Sequence, residues 1–306
     1  MKKEEKAAPF IFDSITALMR ALGLPKPLHP LIALVDYKDI KADTQEIEKG
    51  LMLNFYKISF KHHLKGKIRY GQGYYDFDEG GLSFVSPNQL ISAGEGEQDY
   101  AGHTLLFHPD FIRNYPLAKT IKTYGFFSYS VAEALYLSDK EKTVIDTVFE
   151  NIGQELSLPI DNFSQDVLVS QIELLLNYSN RFYNRQFITR KAVHNDLLAQ
   201  MEQLPNDYFN NHEALMKGPP SVQYIAEKLQ VSPRYLSDML RQLTGLNTQQ
   251  HIQQKLIDKA KEILSTTTLS VAEIAYMLGF EHPQSFNKIF KRKTNVSPGE
   301  FRQSFN

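Results

Sequence analysis

The stretch Ser270–Lys293 reads SVAEIAYMLGFEHPQSFNKIFKRK and gives the clearest structural signal in the chain. Ser270 followed three residues later by Glu273 forms a capping box, which predicts the start of a short helix. Gly279 predicts the end of that helix. A second helix is expected after the turn, with a buried face of residues at helical spacing: Phe286, Ile289 and Phe290. The stretch therefore predicts a helix, a glycine-containing turn and a second helix.

The outer face of the second predicted helix is polar and basic, and consists of Gln284, Asn287, Lys288 and Lys291. A helix pair with a buried inner face and a polar outer face on its second helix is the pattern of a helix-turn-helix unit. Such units place the second helix in the major groove of DNA.

A second copy of this pattern lies upstream. Ser221–Leu229 predicts a helix with one apolar face, and Ser232 with Pro233 predicts the start of the next helix. Both copies contain an Ile-Ala pair, at 225–226 and at 274–275. They end at Thr244-Gly245 and at Thr294-Asn295. A helix over Gln249–Leu264 is predicted to join the two copies.

Two such units joined by a helix resemble the DNA-binding domain of the AraC/XylS family of bacterial transcription regulators. Three phrases carry the resemblance, which covers roughly residues 194–306: IAYMLGF (274–280), SFNKIFK (285–291) and VSPGEFR (296–302). The family usually has glycine where this chain has Asn295. Asparagine is the next-best residue for a left-handed helix stop, so the same geometry is expected.

Length and charge agree with a two-part chain. A chain of 306 residues predicts two domains, 1–190 and 191–306. Residues 219–306 hold eleven Lys or Arg against seven Asp or Glu, a surplus of +4. The remainder carries −5, because the whole chain carries −1. A basic tail on an acidic body favours DNA binding by one end.

The first 190 residues predict an α+β domain. Residues 10–22 are predicted to form an amphipathic helix. Short β-runs are predicted between 31 and 110: Leu31–Tyr37, Leu51–Phe60, Lys67–Tyr70, Tyr74–Phe77, Leu82–Val85, Gln89–Ala93 and Thr104–Phe107. Their number predicts a small barrel or sandwich, and the family resemblance implies a cupin-like β-barrel. Helices are expected over about 138–187, which either cover the barrel or, as the resemblance implies, dimerise.

The fold class is therefore α+β, with the barrel and its helices followed by an all-α domain with two helix-turn-helix units. Thr189–Val193 is the predicted linker, and Pro205 is expected to interrupt the first helix of the second domain. The charged start and Asp13 argue against a signal peptide, and no run of apolar residues is long enough to span a membrane. Together with the absence of cysteine, this predicts a cytoplasmic protein.

The resemblance implies base contacts in both units. The positions in the first unit are Arg234, Ser237 and Asp238, and those in the second are Pro283, Gln284, Asn287 and Lys288. Arginine suits guanine, aspartate can accept from cytosine, and glutamine and asparagine suit adenine. Two alternatives stay open: Asp238 restrains a neighbouring arginine, or these faces are merely solvated. Phosphate contacts are predicted for Arg241, Lys291, Arg292 and Lys293.

A pocket for a small-molecule effector is predicted among the aromatic residues of the β-region, Phe55, Tyr56, Tyr70, Tyr74, Tyr75 and Phe77. The alternative is that these residues form the barrel core. No catalytic residues, metal site or cofactor are predicted. His62 and His63 would face opposite sides of a strand, as would His103 and His108.

The chain is therefore expected to be a DNA-binding transcription regulator and not an enzyme. The predicted partners are double-stranded DNA, a small-molecule effector, RNA polymerase if the protein is an activator, and a second copy in a homodimer. No membrane partner is expected. Two rival hypotheses are a metal-independent cupin-type enzyme that regulates its own expression, and an effector-free DNA-binding protein.

Overall fold

The computed structural model describes residues 9–42, 50–64, 67–70, 73–76, 80–91, 100–130, 133–189 and 191–304. The chain divides into two compact units, Met1–Gln186 and Phe187–Asn306. The first unit contains the strands and the second is helical. This α+β organisation, with sheets before helices, agrees with the predicted class.

The strands of the first unit are β1 (Phe10–Phe12), β2 (Ile32–Asp36), β3 (Leu51–Leu53), β4 (Tyr56–Leu64), β5 (Lys67–Tyr70), β6 (Gly73–Asp76), β7 (Gly81–Val85), β8 (Leu90–Ile91), β9 (Tyr100–Phe107) and β10 (Leu135–Tyr136). They form a five-stranded sheet in the order β10-β7-β4-β9-β2, a three-stranded sheet β1-β3-β8 and the hairpin β5-β6. Within the described residues these sheets do not close into a barrel, so the cupin-like barrel is not confirmed.

The prediction of a helix over residues 10–22 is wrong for its first three residues. Phe10–Phe12 forms strand β1, which pairs in parallel with Leu51–Leu53. Helix α1 (Ile15–Ala21) begins only after Ser14, whose side chain accepts a hydrogen bond from the Ala17 amide. These residues satisfy their backbone hydrogen-bonding groups by pairing with a strand some forty residues away. That pairing overrides the local helical pattern.

The remaining helices of the first unit are α2 (Leu117–Thr120), α3 (Asp139–Ser157) and α4 (Ser164–Thr189). A capping box of Ser138 and Glu141 starts α3. Phe187 and the residues after it cluster with the second unit. The described residues contain no helix long and apolar enough to cross a membrane.

The second unit contains eight described helices: α5 (Lys191–Asn210), α6 (Glu213–Lys217), α7 (Val222–Leu229), α8 (Pro233–Thr244), α9 (Thr248–Thr266), α10 (Val271–Met277), α11 (Pro283–Thr294) and α12 (Pro298–Gln303). The linker prediction is wrong at Lys191–Val193, which is helical. Pro205 lies inside α5 and does not end it.

Helices α5, α6, α9, α10, α11 and α12 share one apolar core. Its buried residues include Tyr208, Ala214, Leu256, Ala260, Ile274, Phe286 and Phe290. Gly279 lies in the turn after α10, where the backbone of α6 and Gly218 approaches closely. Its φ is +87°, and a Cβ there would lie 2.6 Å from the Gly218 carbonyl carbon and 2.7 Å from the Ala214 carbonyl oxygen. Both the backbone conformation and the space therefore require glycine.

Candidate nucleic-acid interface

Residues 221–245 form the first motif, which consists of α7, a tight turn and α8. Each helix starts at a serine. Ser221 Oγ accepts from the Tyr224 amide at 3.1 Å, and Ser232 Oγ accepts from the Tyr235 amide at 3.2 Å. Pro233 occupies the first position of α8, where its missing N–H leaves no bond unmade. Gln230 takes the left-handed conformation in the turn, with φ 58°.

Residues 270–295 form the second motif, which consists of α10, the turn at Gly279 and α11. Ser270 and Glu273 make the predicted capping box, with the Ser270 amide 2.7 Å from Glu273 Oε2. Asn295 stops α11 in the left-handed conformation, with φ 63°, as Gly245 stops α8 with φ 80°. The substitution of asparagine for the family's usual glycine therefore keeps the helix stop.

The second helices of the two motifs correspond residue for residue at an offset of fifty positions. Their buried faces match, because Leu236 and Leu240 in α8 are buried like Phe286 and Phe290 in α11. Their outer faces do not. The corresponding pairs are Arg234 and Gln284, Ser237 and Asn287, Asp238 and Lys288, and Arg241 and Lys291. The two motifs share a scaffold and present different chemistry.

In the first motif, Asp238 bonds to two arginines of its own helix. Arg234 Nε donates to Asp238 Oδ2 at 2.8 Å, and Arg241 Nη1 donates to Asp238 Oδ1 at 3.0 Å. The side chain of Asp238 is 16% exposed, whereas those of Arg234 and Arg241 are about half exposed. The three side chains line an open depression of about 400 Å³ together with Val222, Pro233, Ser237, Asn247 and Gln249.

Ser237 is engaged by the helix that follows. Its Oγ lies 2.9 Å from Oγ1 of Thr248, a fully buried residue at the start of α9. Thr248 corresponds to Pro298 in the second motif, which has no hydroxyl group to offer Asn287. Ser237 therefore ties α8 to α9, whereas Asn287 stays exposed on α11.

The outer face of α11 is open to solvent. Gln284, Asn287 and Lys288 are exposed, and among the described residues none of them makes a hydrogen bond or an ion pair. Pro283 is half-buried at the first position of the helix. The last turn carries three exposed cations, Lys291, Arg292 and Lys293. Amide groups near the start of the helix and cations at its end give α11 both hydrogen-bonding groups and positive charge.

A buried histidine contacts the inner face of α8, and the sequence did not predict this contact. His194 in α5 is fully buried, with Nδ1 2.9 Å from the Phe187 carbonyl oxygen and Nε2 3.2 Å from the Tyr235 hydroxyl. A carbonyl oxygen only accepts, so Nδ1 donates to Phe187, and Nε2 lies within hydrogen-bond distance of the Tyr235 hydroxyl. Tyr235 follows Arg234, and no local sequence pattern links it to a histidine forty-one residues away.

The aromatic residues predicted to form an effector pocket are only partly within the described structure. Phe55 is fully buried in the core against α1. Tyr56 stacks on Phe107 with ring centroids 5.0 Å apart, and burial raises its pKa. Tyr70, Tyr74 and Tyr75 lie on the β5-β6 hairpin, and their side chains are outside the described part. Phe77 also lies outside the described residues.

The strands bring together two histidines that the sequence analysis considered separately. His62 and His103 lie on β4 and β9 with ring centroids 6.0 Å apart. His62 Nε2 is 3.4 Å from Asp146 Oδ1, and His103 Nδ1 is 3.8 Å from Asp36 Oδ2. The described residues contain no cluster of His, Cys, Asp or Glu able to hold a metal ion.

Comparison with known proteins agrees with this helical arrangement. A family model described as a helix-turn-helix domain matches residues 225–304. The HTH-type transcriptional activator RhaS of Citrobacter koseri is 30% identical over 154 residues, which is 50% of each chain. The HTH-type transcriptional regulator YfiF of Bacillus subtilis is 25% identical over 273 residues, 84% of this chain and 82% of its own. These matches show that the second unit contains a helix-turn-helix domain like those of HTH-type transcription regulators.

Among solved structures, the likeness is local. An AraC-type regulator from Chromobacterium violaceum is 24% identical, with a TM-score of 0.32, and the match covers 37% of this chain and 96% of that one. This chain spans about half the length of the RhaS relatives it matches. The matched family model lies entirely within the second unit, where both motifs are.

Proposed function

We propose that this protein is a sequence-specific DNA-binding transcription regulator of the AraC/XylS type, whose helices α8 and α11 each enter a major groove. The observation that carries the proposal is the repeat itself. Two motifs whose second helices share the same buried face carry polar and charged side chains at equivalent positions of their outer faces. A helix-turn-helix contacts base edges from this face of its second helix.

Base recognition is assigned to both motifs. The residues assigned to base recognition, by direct contact or by positioning a contacting side chain, are Arg234, Ser237 and Asp238 in the first motif, and Pro283, Gln284, Asn287 and Lys288 in the second. The exposure of Gln284, Asn287 and Lys288 supports this assignment most directly. Glutamine and asparagine can bond the N6 and N7 edge of adenine, and lysine can donate to O6 and N7 of guanine.

Phosphate binding is assigned to Arg241, Lys291, Arg292 and Lys293. Their exposed positive charge at the ends of α8 and α11 supports the assignment, since contacts of this kind give affinity without sequence information. Cations in the last turn also interact favourably with the helix dipole, so the same residues stabilise the free protein.

The first unit is assigned a regulatory role. We propose that it senses a small-molecule effector or holds a second copy of the chain, and the family resemblance implies a cupin-like barrel for it. Regulation by an effector requires different affinities for two states of the protein. RNA polymerase is the further partner if the protein is an activator. A regulator of this kind acts on DNA in the cytoplasm and needs no catalytic residues.

Selection of DNA sequences from a random pool by the full-length protein tests this function. Enrichment of a defined sequence, with a dissociation constant at least about a thousandfold below that for random DNA at the same salt concentration, is the expected result. A pool that stays random after repeated rounds would overturn the assignment. A basic surface that binds only phosphate would give that outcome.

A further inference from the structure

The side chains of Arg234, Asp238 and Arg241, named here the clasp, form one bonded group on the outer face of α8. We propose that Asp238 is a positioning residue for base recognition. It orients Arg234 toward one guanine and does not itself contact a base. This inference rests on the proposed function and names the residue that sets the specificity of the first motif.

The bonding pattern of the clasp decides which atoms of Arg234 are presented to DNA. Arg234 gives its Nε proton to Asp238 Oδ2 at 2.8 Å, which leaves the two terminal nitrogens, Nη1 and Nη2, for a ligand. These nitrogens form the fork that matches the O6 and N7 acceptors of guanine. Because the Nε–H is held by a carboxylate on the same helix, the fork has a defined direction before DNA arrives.

Direct base reading by Asp238 fits the geometry less well. Its second oxygen, Oδ1, already accepts from Arg241 Nη1 at 3.0 Å, so both carboxylate oxygens are engaged within the clasp. Its side chain is also the least exposed of the three, at 16%. A cytosine amino group would have to compete with two charged donors for a half-buried carboxylate. Two guanidinium groups around the carboxylate also offset its repulsion of the phosphates.

The second motif lacks the clasp and serves as an internal control. Lys288 takes the place of Asp238, and Gln284 takes the place of Arg234. Neither makes a hydrogen bond or an ion pair among the described residues. Any effect of preordering is therefore expected at the part of the DNA site that the first motif reads, and not at the part read by the second.

The test uses the full-length protein, the selected DNA site, every single-base variant of that site, and random DNA. The proteins compared are wild type, Arg234→Ala, Asp238→Asn and the double variant. Asp258→Asn is the control for loss of one negative charge, because Asp258 lies on α9 and bonds to Gln254 outside the clasp. Dissociation constants are measured at one salt concentration. Thermal unfolding of each variant verifies that it is folded.

Arg234→Ala is expected to reduce the preference for guanine at one base pair by about 5- to 150-fold. Asp238→Asn is expected to reduce the same preference by about two- to tenfold, the cost of ordering one long side chain. In the Arg234→Ala background, Asp238→Asn should change that preference no further. Asp258→Asn should leave it intact. Preferences in the part read by the second motif should stay the same in all variants.

A second measurement tests, in the absence of DNA, whether Asp238 holds the Arg234 side chain. In the free protein, the Arg234 Nε–H resonance is expected to exchange more slowly with water in wild type than in Asp238→Asn. A slow Nε–H with an unchanged guanine preference in Asp238→Asn would overturn the inference and leave the proposed function standing. So would a changed preference at a different base pair, because Asp238 would then contact that base itself. A wild-type protein that fails to distinguish the selected site from random DNA would overturn both.

Discussion

At the scale of single residues, α11 carries side chains that we propose to contact bases and others that we propose to contact phosphate. Gln284 and Lys288 lie in the first half of the helix, and Lys291 lies in its last turn. Gln284→Ala and Lys288→Ala are each expected to weaken binding to the selected site by about 1–3 kcal/mol, with little change on random DNA. Titrations of both DNAs with the full-length variants measure the difference.

Lys291→Ala is the matched comparison within the same helix. It should weaken binding to the selected site and to random DNA alike. It should also lower the slope of log K against log salt by about 0.9, the value for one phosphate contact. Equal losses on both DNAs for Gln284→Ala and Lys288→Ala would contradict the assignment of base contacts.

Three glycines of the second unit form a graded series in stability. Gly279 has a left-handed backbone and no room for a Cβ, Gly245 has a left-handed backbone in open space, and Gly299 has open space with no left-handed φ. Gly245→Ala should lower the free energy of unfolding by about 1–2 kcal/mol through backbone strain alone. Gly279→Ala should lower it by about 1–3 kcal/mol more, because the added carbon meets the backbone of Gly218.

Gly299→Ala is the control and should raise stability by up to about 1 kcal/mol, since alanine favours the helix. Chemical denaturation of the full chain, followed by a signal from the second unit, gives the three values. A loss at Gly299 as large as that at Gly279 would show that the tight approach of Gly279 to Gly218 is not what limits substitution.

At the scale of elements, two helices of the second unit start with a serine and glutamate capping box. The Ser270 amide donates to Glu273, and the Ser297 amide donates to Glu300. Hydrogen bonds from Ser270 hold the pKa of Glu273 below its usual value, and hydrogen bonds from Ser297 do the same for the pKa of Glu300. The folded protein therefore binds fewer protons than the unfolded chain as the pH falls toward these pKa values.

The stability from these caps is full above the unfolded pKa of glutamate, about 4.3, and is lost as the pH falls through the lowered folded pKa. Glutamine keeps the hydrogen bond without the charge. The double variant Glu273→Gln, Glu300→Gln should melt below wild type at pH 7, and the difference should close as the pH falls through the lowered folded pKa values. Glu281→Gln, outside both caps, is the control. A gap that widens on acidification would contradict this sign.

The buried bond between α5 and α8 is the other prediction at this scale. His194 bonds to the Phe187 carbonyl and to the Tyr235 hydroxyl, so it links the first helix of the unit to the second helix of the first motif. His194→Ala should lower the free energy of unfolding by about 2–4 kcal/mol, since it leaves a cavity and removes a buried partner. Tyr235→Phe should cost about 1 kcal/mol.

A double-mutant cycle separates this bond from general packing. If the bond carries the effect, Tyr235→Phe should cost little in the His194→Ala background, and the two changes should not be additive. Denaturant unfolding of the four proteins gives the coupling energy. Full additivity would indicate that the ring and the hydroxyl stabilise the protein independently.

The elements that sequence analysis located correctly are those fixed by local chemistry. Ser221, Ser232 and Ser270 start their helices because their side chains cap amides three residues ahead. Asn295 stops α11 because asparagine tolerates a left-handed φ. Periodicity located the outer face of α11, since Phe286 and Phe290 are buried, and the family resemblance implied which residues of that face contact bases.

What the sequence did not predict depends on contacts between distant residues. Phe10–Phe12 is a strand because of Leu51–Leu53, and Ser237 is held by Thr248 across two helices. The pairing of Asp238 with arginine was one of two alternatives that spacing alone left open. On a helix, Asp238 can reach Arg234, four residues before it, and Arg241, three residues after it. Only the side-chain positions show that Asp238 bonds to both.

At the scale of the whole molecule, the length of α9 sets the separation of the two motifs along the chain. The helix has 19 residues, Thr248–Thr266, and at about 1.5 Å per residue it spans roughly 28 Å. With the width of the flanking helices, this length suits major grooves one turn of DNA apart, about 34 Å. The outer faces of α8 and α11 differ, so a single chain is expected to recognise an asymmetric site.

The central claim is that one chain recognises two unlike DNA boxes, one with each motif. Footprinting of the selected site with full-length variants altered in one motif or the other tests it most directly. Two unlike protected boxes about 10 base pairs apart are the expected result. Arg234→Ala should weaken sequence preference in one box only, and Gln284→Ala should weaken it in the other box only. Protection of a single box, loss of preference in the same box for both variants, or an absolute requirement for inverted repeats would contradict recognition of two boxes by one chain.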